Sequence, residues 1–184
     1  MEISLKVPVP FMEILLPLLI FSLSFIFGSF LEYWIHRVFH AHPKHFLKRI
    51  FPKLGQGHTQ HHIGGTGQGF LWEFRNYVVG TSVVMFPLFL HSFTLGVSWF
   101  MGCFIYAAFA AYAHQLQHDN PVKCFWLPMP VHYVHHKYNQ WHHNFGIGVD
   151  WWDRLFGTYR PKSDWLTEKE QRTAGQKLWQ IKWL

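Results

Sequence analysis

The sequence predicts an all-α fold: membrane-embedded helices, about three spans, carrying a helical cytosolic cap rich in histidine. Three observations carry this. Apolar stretches without charge recur along a chain of 184 residues. Aromatic residues make up 20% of it and ten are tryptophan, more than an ordinary soluble domain carries, so an apolar environment is being faced. The 15 histidines gather in short motifs beside the apolar stretches. The length suits one domain, covering 1–184.

The first span is residues 11–35, "FMEILLPLLIFSLSFIFGSFLEYWI", uncharged from Ile14 to Leu31. Those residues make about 27 Å of helix, enough to cross most of the hydrocarbon layer. A cleaved signal peptide fits less well. The leading "MEISLK" contains an acid, no small-residue cleavage site follows, and the stretch runs straight into histidine-bearing sequence. Residues 36–76 follow as a polar segment. Its glycine-rich part, "GQGHTQHHIGGTGQGF", lacks the GxxxxGK[ST] pattern and reads as a flexible turn, with a mobile lid as the alternative. Residues 77–90 and 95–113 are two further apolar arms separated by His91, Ser92 and Thr94, which reads as a helical hairpin. The first arm gives only about 21 Å of helix and must extend into flanking residues, thin the bilayer or re-enter it.

Charge fixes the orientation. Lys6 alone precedes the first span, whereas six basic residues lie from Arg37 to Arg75 and nine after residue 113. The positive-inside rule places 36–76 and 114–184 in the cytosol. The formal charge of +6 is thereby explained by topology, and no basic-aromatic pattern for nucleic acid is present. All histidines except His91 then share one face of the membrane. Cys103 and Cys124 form no CxxC pair and read as small apolar residues. The tryptophans at 126, 141, 151 and 152 read as an interfacial belt or the wall of a lipid pocket.

Four histidine motifs carry the chemistry: HRVFH at 36–40, HTQHH at 58–62, HQLQH at 114–118 and HYVHH at 132–136. Residues i, i+3 and i+4 share a helix face, so each motif aims its rings one way. Taken singly, such a motif is more often a solvated face. Four of them near an apolar boundary would crowd polar rings at a cost unless something held them. The expected metal ligands are His36, His40, His58, His61, His62, His114, His118, His132, His135 and His136. Ten imidazoles exceed what one ion uses, so two ions are expected; iron, zinc and copper all suit such ligands. Glu32, Asp119, His142, His143 and Asp153 are expected around the ligands, orienting rings and offsetting charge, and Asp150 is a further acid near the fourth motif. For these acids, ordinary surface salt bridges are the competing reading.

The order of the four boxes, followed by "NFG" at 144–146 and "WDRLFGTYR" at 152–160, resembles the fatty acid hydroxylase and sterol desaturase superfamily of membrane histidine-box enzymes. The resemblance runs from about Glu32 to Arg160. The later boxes and their tail are most similar to the fatty acid 2-hydroxylase branch, and the first box to the sterol-type enzymes. The resemblance implies that the ten box histidines bind two iron ions, with zinc able to substitute in purified protein. It further implies that dioxygen is the cosubstrate and that a lipid C–H bond is hydroxylated or desaturated. Electrons are then expected from an external donor, a ferredoxin or b-type cytochrome with its reductase, drawn to the basic cap. The rival reading is a non-catalytic histidine-rich membrane protein that binds or transports metal; a transporter should place ligands mid-span, along a pathway. A bis-histidine haem protein would need fewer histidines.

Overall fold

The computed structural model describes residues 9–53, 55–82 and 85–184, with side chains from Met12 onward. The reading of "MEISLK" falls outside these residues. Among the described residues the secondary structure is helical throughout, without a strand. Two helices form the frame, α1 (Val9–Phe39) and α6 (Phe93–Asp119). Both are long and apolar enough to cross a membrane.

α1 and α6 pack against each other in parallel, as their contacts climb together: Ser24 meets Gly102, Gly28 meets Tyr106, and the Tyr106 hydroxyl donates to Glu32 at 2.7 Å. Glycine makes this approach possible. A Cβ on Gly102 would lie 1.8 Å from Ser24 Oγ and 2.4 Å from the Phe21 carbonyl oxygen. Small residues at helix interfaces serve this purpose in membranes, where packing replaces the hydrophobic drive. Around the pair, Ile14, Leu18 and Leu19 of α1 and Met101 and Ile105 of α6 stay exposed.

The return between these two helices is broken. The arm expected at 77–90 divides between α4 (Phe70–Thr81) and α5 (Met85–His91). Pro87 gives the physical reason. Inside one continuous helix its missing N–H would cost a hydrogen bond and its ring would crowd the preceding turn, but in the first turn of a fresh helix no intrahelical bond is asked of its nitrogen. α4 and α5 together run back along α6, with Glu73 beside His114, the Thr81 carbonyl accepting from Cys103 Sγ at 3.0 Å, and Phe89 over Gly96. His91 closes α5 at the far end, and Ser92 caps α6 by accepting from Leu95 N.

The remaining helices are short: α2 (Phe46–Ile50), α3 (Gln56–Gly64), α7 (Val131–Lys137), α8 (Trp151–Leu155) and α9 (Glu168–Thr173). They cap the histidine end of α1 and α6. The glycine-rich segment expected to be a flexible turn or lid contains α3 instead. Left-handed glycines bracket it, Gly55 at φ 84° and Gly65 at φ 63°, and Gly65 N closes the helix by donating to the His61 carbonyl. The cap has its own core, in which Val131 and Val134 of α7 pack with Cys124, Leu127 and Met129. The opposite edge of α7 is thereby left to its histidines.

Candidate metal centre

Four elements bring the ten box histidines to one place. α1 and the residue following it supply His36 and His40; α3 supplies His58, His61 and His62; α6 supplies His114 and His118; α7 supplies His132, His135 and His136. They sort into two groups. One ring nitrogen each from His36, His40, His58, His62 and His135 lies within 4.8 Å of the others, and the same holds for His61, His114, His118 and His132. α3 divides because His58 and His62 share a face while His61 lies about 100° round the helix from His62. The His136 ring stands between the groups, 4.0 Å from His62 and 4.5 Å from His132 by ring centroids.

Within each group the Nε2 atoms converge. His40 Nε2 lies 2.8 Å from that of His58, 3.1 Å from that of His62 and 3.0 Å from that of His135. In the second group His61 Nε2 lies 3.2 Å from His114 Nε2 and 3.1 Å from His118 Nε2, which is 3.2 Å from His132 Nε2. The Nε2 atoms of His36 and His136 are buried without any hydrogen-bond partner.

The opposite ring nitrogens show which way the lone pairs face. His36 Nδ1 donates to the Phe145 carbonyl at 2.6 Å, His135 Nδ1 to the His143 carbonyl at 2.7 Å, and His61 Nδ1 to the Thr66 carbonyl at 3.0 Å. A carbonyl can only accept, so in a neutral ring the proton sits on Nδ1 and the Nε2 lone pair faces the group. Burial also keeps the rings neutral. It pushes His40 down to about 2, His62 to about 3 and His135 to about 4, with neighbouring imidazoles adding to the depression of His40 and His62.

The acids expected around the ligands sit one step back. Glu32 accepts from Tyr106 Oη and from the backbone of Ile147 at 2.8 Å and Gly148 at 3.2 Å, and not from a histidine ring. Asp153 accepts from Phe145 N at 2.8 Å, Gly146 N at 2.7 Å and Thr158 Oγ1 at 2.7 Å. Both therefore fix the segment that supplies the Phe145 carbonyl. Asp119 accepts from Gln115 Nε2 and Lys182 N and not from a ring, and Asp150 pairs with Arg154. His143 contributes its carbonyl and not its ring; His142 is exposed.

Several contributors carry no motif in the sequence. Glu73 Oε1 lies 3.5 Å from His114 Nδ1, and burial pushes its carboxyl up to about 7. Gln117, inside the third box, accepts from His132 N at 2.9 Å and donates to the Ile147 carbonyl at 2.7 Å, joining α6 to α7. The expected tryptophan belt is partly a set of anchors, since Trp126 Nε1 donates to the Gly148 carbonyl and Trp152 Nε1 to Ser29 Oγ. His42 and His45 accept from nearby backbone N–H groups. His91 lies at the other end of α6, about 31 Å along the helix from His114.

A cavity of about 430 Å³ opens onto both groups. His36 and His58 of the first and His61 and His114 of the second line it, together with the apolar side chains of Leu31, Ile35, Phe39 and Trp72. Its size and character suit a small apolar ligand or part of a larger one.

A profile of the fatty acid hydroxylase family matches residues 21–158, most of the chain. The Delta(7)-sterol 5(6)-desaturase of Leptosphaeria maculans is 31% identical over 148 residues, covering 75% of this chain and 36% of that protein. The chain thus spans about a third of the length of that curated relative. No solved structure matches.

Proposed function

The chain belongs to the fatty acid hydroxylase family, and from that premise we propose that it is a di-iron membrane oxygenase that hydroxylates or desaturates a lipid C–H bond. The observation that carries this reading is a largely apolar cavity lined by histidines of both groups. A metal store or transporter has no need of it.

The donor set fits two iron ions. His36, His40, His58, His62 and His135 would hold one ion, and His61, His114, His118 and His132 the other, with His136 between them. Neighbouring Nε2 atoms 2.8 to 3.2 Å apart within each group, with their lone pairs facing one another, are a donor set that iron suits, as do other ions that take imidazole. Abundant zinc can also occupy imidazole sites. Two bound irons would supply the reduction of dioxygen and the oxidation of the C–H bond, using electrons from an external ferredoxin or b-type cytochrome.

The chain's own residues bind and aim the substrate. Leu31, Ile35, Phe39 and Trp72 hold the apolar part of a fatty acyl or sterol-like lipid and exclude water from the reacting carbon. The carbonyls of Thr66, His143 and Phe145 hold the histidine protons on Nδ1, so the rings need no reorganisation to act as ligands. The single domain 1–184 crosses the membrane with the histidine end cytosolic, which delivers the lipid directly from the bilayer.

Lipid mass spectrometry of cells making the chain tests this. The expected result is a lipid gaining one oxygen or losing two hydrogens, absent when His135→Ala is expressed at matched membrane levels. Unchanged lipids alongside two bound irons would leave a metal-binding protein and no enzyme.

A further inference from the structure

Resting on that reading and extending it, we propose that electrons enter the metal centre through Trp141, delivered by a small acidic one-electron carrier protein that docks in the basic groove around it. Three aromatic side chains touch first-group histidines among the described residues: Phe39, Trp141 and Phe145. Phe145 is buried and Phe39 lines the lipid cavity. Trp141 alone reaches a surface outside that cavity, with 38% of it exposed. Its ring lies parallel to His62, centroids 5.2 Å apart at 20°, and edge-on to His40 at 4.8 Å. The indole thus meets two candidate ligands of the same ion and keeps part of its surface in solvent. Electronic coupling falls steeply with distance, so a delocalised ring in contact with the ligands is a short route inward.

The groove around Trp141, about 470 Å³, says what docks there. Tyr138, His142, His143, Arg160 and Lys162 line it, and no carboxylate does. Arg160 is exposed, and the Lys162 ammonium lies 4.9 Å over the Tyr138 ring. A cationic rim around an aromatic centre steers and orients an acidic partner. The groove and the lipid cavity share no lining residue, so carrier and substrate approach by separate surfaces.

The balance is explicit. Each carrier molecule is oxidised by one electron, and two deliveries serve one dioxygen. With two protons, hydroxylation leaves one oxygen atom in the alcohol and one in water; desaturation places both in water.

The test uses the full chain, iron-loaded, in discs of neutral phosphatidylcholine, with a soluble acidic [2Fe–2S] ferredoxin as probe and a soluble acidic b-type cytochrome in parallel. Binding is read by biolayer interferometry at rising salt, and reduction of the ferric centre by stopped flow with either reduced carrier or with dithionite. Arg160→Glu with Lys162→Glu is expected to weaken carrier binding about tenfold or more and to abolish its salt dependence. Dithionite reduction should be unchanged. Compared at matched iron content and matched carrier occupancy, Trp141→Leu should slow carrier-driven reduction and leave dithionite reduction unchanged, with Trp141→Phe restoring much of the rate. Equal slowing with dithionite would assign Trp141 a structural role and overturn the proposal. So would binding by neither carrier, undiminished binding after charge reversal, or a charge-reversal effect confined to discs containing phosphatidylserine, which would make the groove a lipid surface. A wild-type centre that takes iron but cannot be reduced by dithionite would instead sink the oxygenase reading itself.

Discussion

His36 and His135 come from different helices, yet one short turn of chain orients both. His135 Nδ1 donates to the carbonyl of His143 and His36 Nδ1 to that of Phe145, two residues on. Asn144 lies between them, fully buried, at φ 59°. This left-handed conformation, tolerated by asparagine better than by most residues, lets the carbonyls on either side serve different rings. The Asn144 side chain locks the turn by donating to the Arg160 carbonyl at 2.8 Å and accepting from Arg160 N at 2.9 Å.

Asn144→Ala removes the lock and strains the backbone, so affinity should fall selectively in the first group. The expected loss is about 10–100-fold for one ion, the usual effect of disturbing the groups behind a ligand. The second group, oriented through Thr66, should keep its ion. Metal competition titrations resolve the two. A uniform loss at both sites would mean that Asn144 supports the whole cap and not one group.

The histidines were legible because helix periodicity makes spacing equivalent to direction: 58 and 62, or 114 and 118, must share a face. Their division into two groups was not, since it depends on how α3 and α7 are rotated against α1 and α6. The orienting carbonyls of Thr66, His143 and Phe145 left no trace, because every residue has a carbonyl. Glu73 escaped for a related reason: it stands far from His114 in the chain and follows no motif. Pro87 could have been read. It sits inside the expected 77–90 arm, where a continuous helix would tolerate it poorly.

Gly102→Ala should impair packing of α1 on α6, since the added methyl meets the Phe21 carbonyl as well as the movable Ser24 hydroxyl. A cost of about 1–3 kcal/mol is expected. Gly64→Ala in α3, where an added Cβ meets nothing within 4 Å, should be neutral or stabilising by up to about 1 kcal/mol. Thermal unfolding in one detergent compares them. Equal stability would refute the close approach.

Gly80 lines the cavity, and a Cβ there meets nothing within 4 Å. Gly80→Leu should therefore fill cavity space without disturbing the fold. Metal content should hold while larger lipids lose ground to smaller ones, at about 0.8 kcal/mol for each methylene denied burial. Competition between substrates of different size measures this. An unchanged preference would place the lipid elsewhere.

Glu170 gives a pH prediction that involves none of the box histidines as its hydrogen-bond partners. Burial alone pushes its carboxyl up, but hydrogen bonds from Thr167, Tyr133 and Lys137 override this and hold it at about 2, against an ordinary 4.5. The unfolded chain therefore binds this proton more readily. The stabilisation is fully present above about 4.5 and is lost as pH falls toward about 2. Glu170→Gln should cost about 1 kcal/mol at neutral pH, the scale of one lost cap or charged hydrogen bond. It should also flatten the acid limb of the stability curve. A parallel acid limb in the variant would assign that loss to other groups.

His91 and His135 are the same residue type in opposite places. His135 is fully buried, with Nε2 3.0 Å from that of His40. His91 ends α5, and α6 spans about 31 Å between it and the level of His114. His91→Ala should therefore keep both metals and full lipid oxidation. His135→Ala removes one of the two first-group rings whose proton is fixed on Nδ1, His36 being the other, and it opens a gap beside His40 and His62, so that group should lose its ion and the variant its activity. Bound iron and oxidised lipid, measured at matched membrane expression, decide it. Loss of metal in the His91 variant would place that residue at the site and break the one-sided arrangement. Full activity in the His135 variant would show that the first group is not the centre that oxidises the lipid.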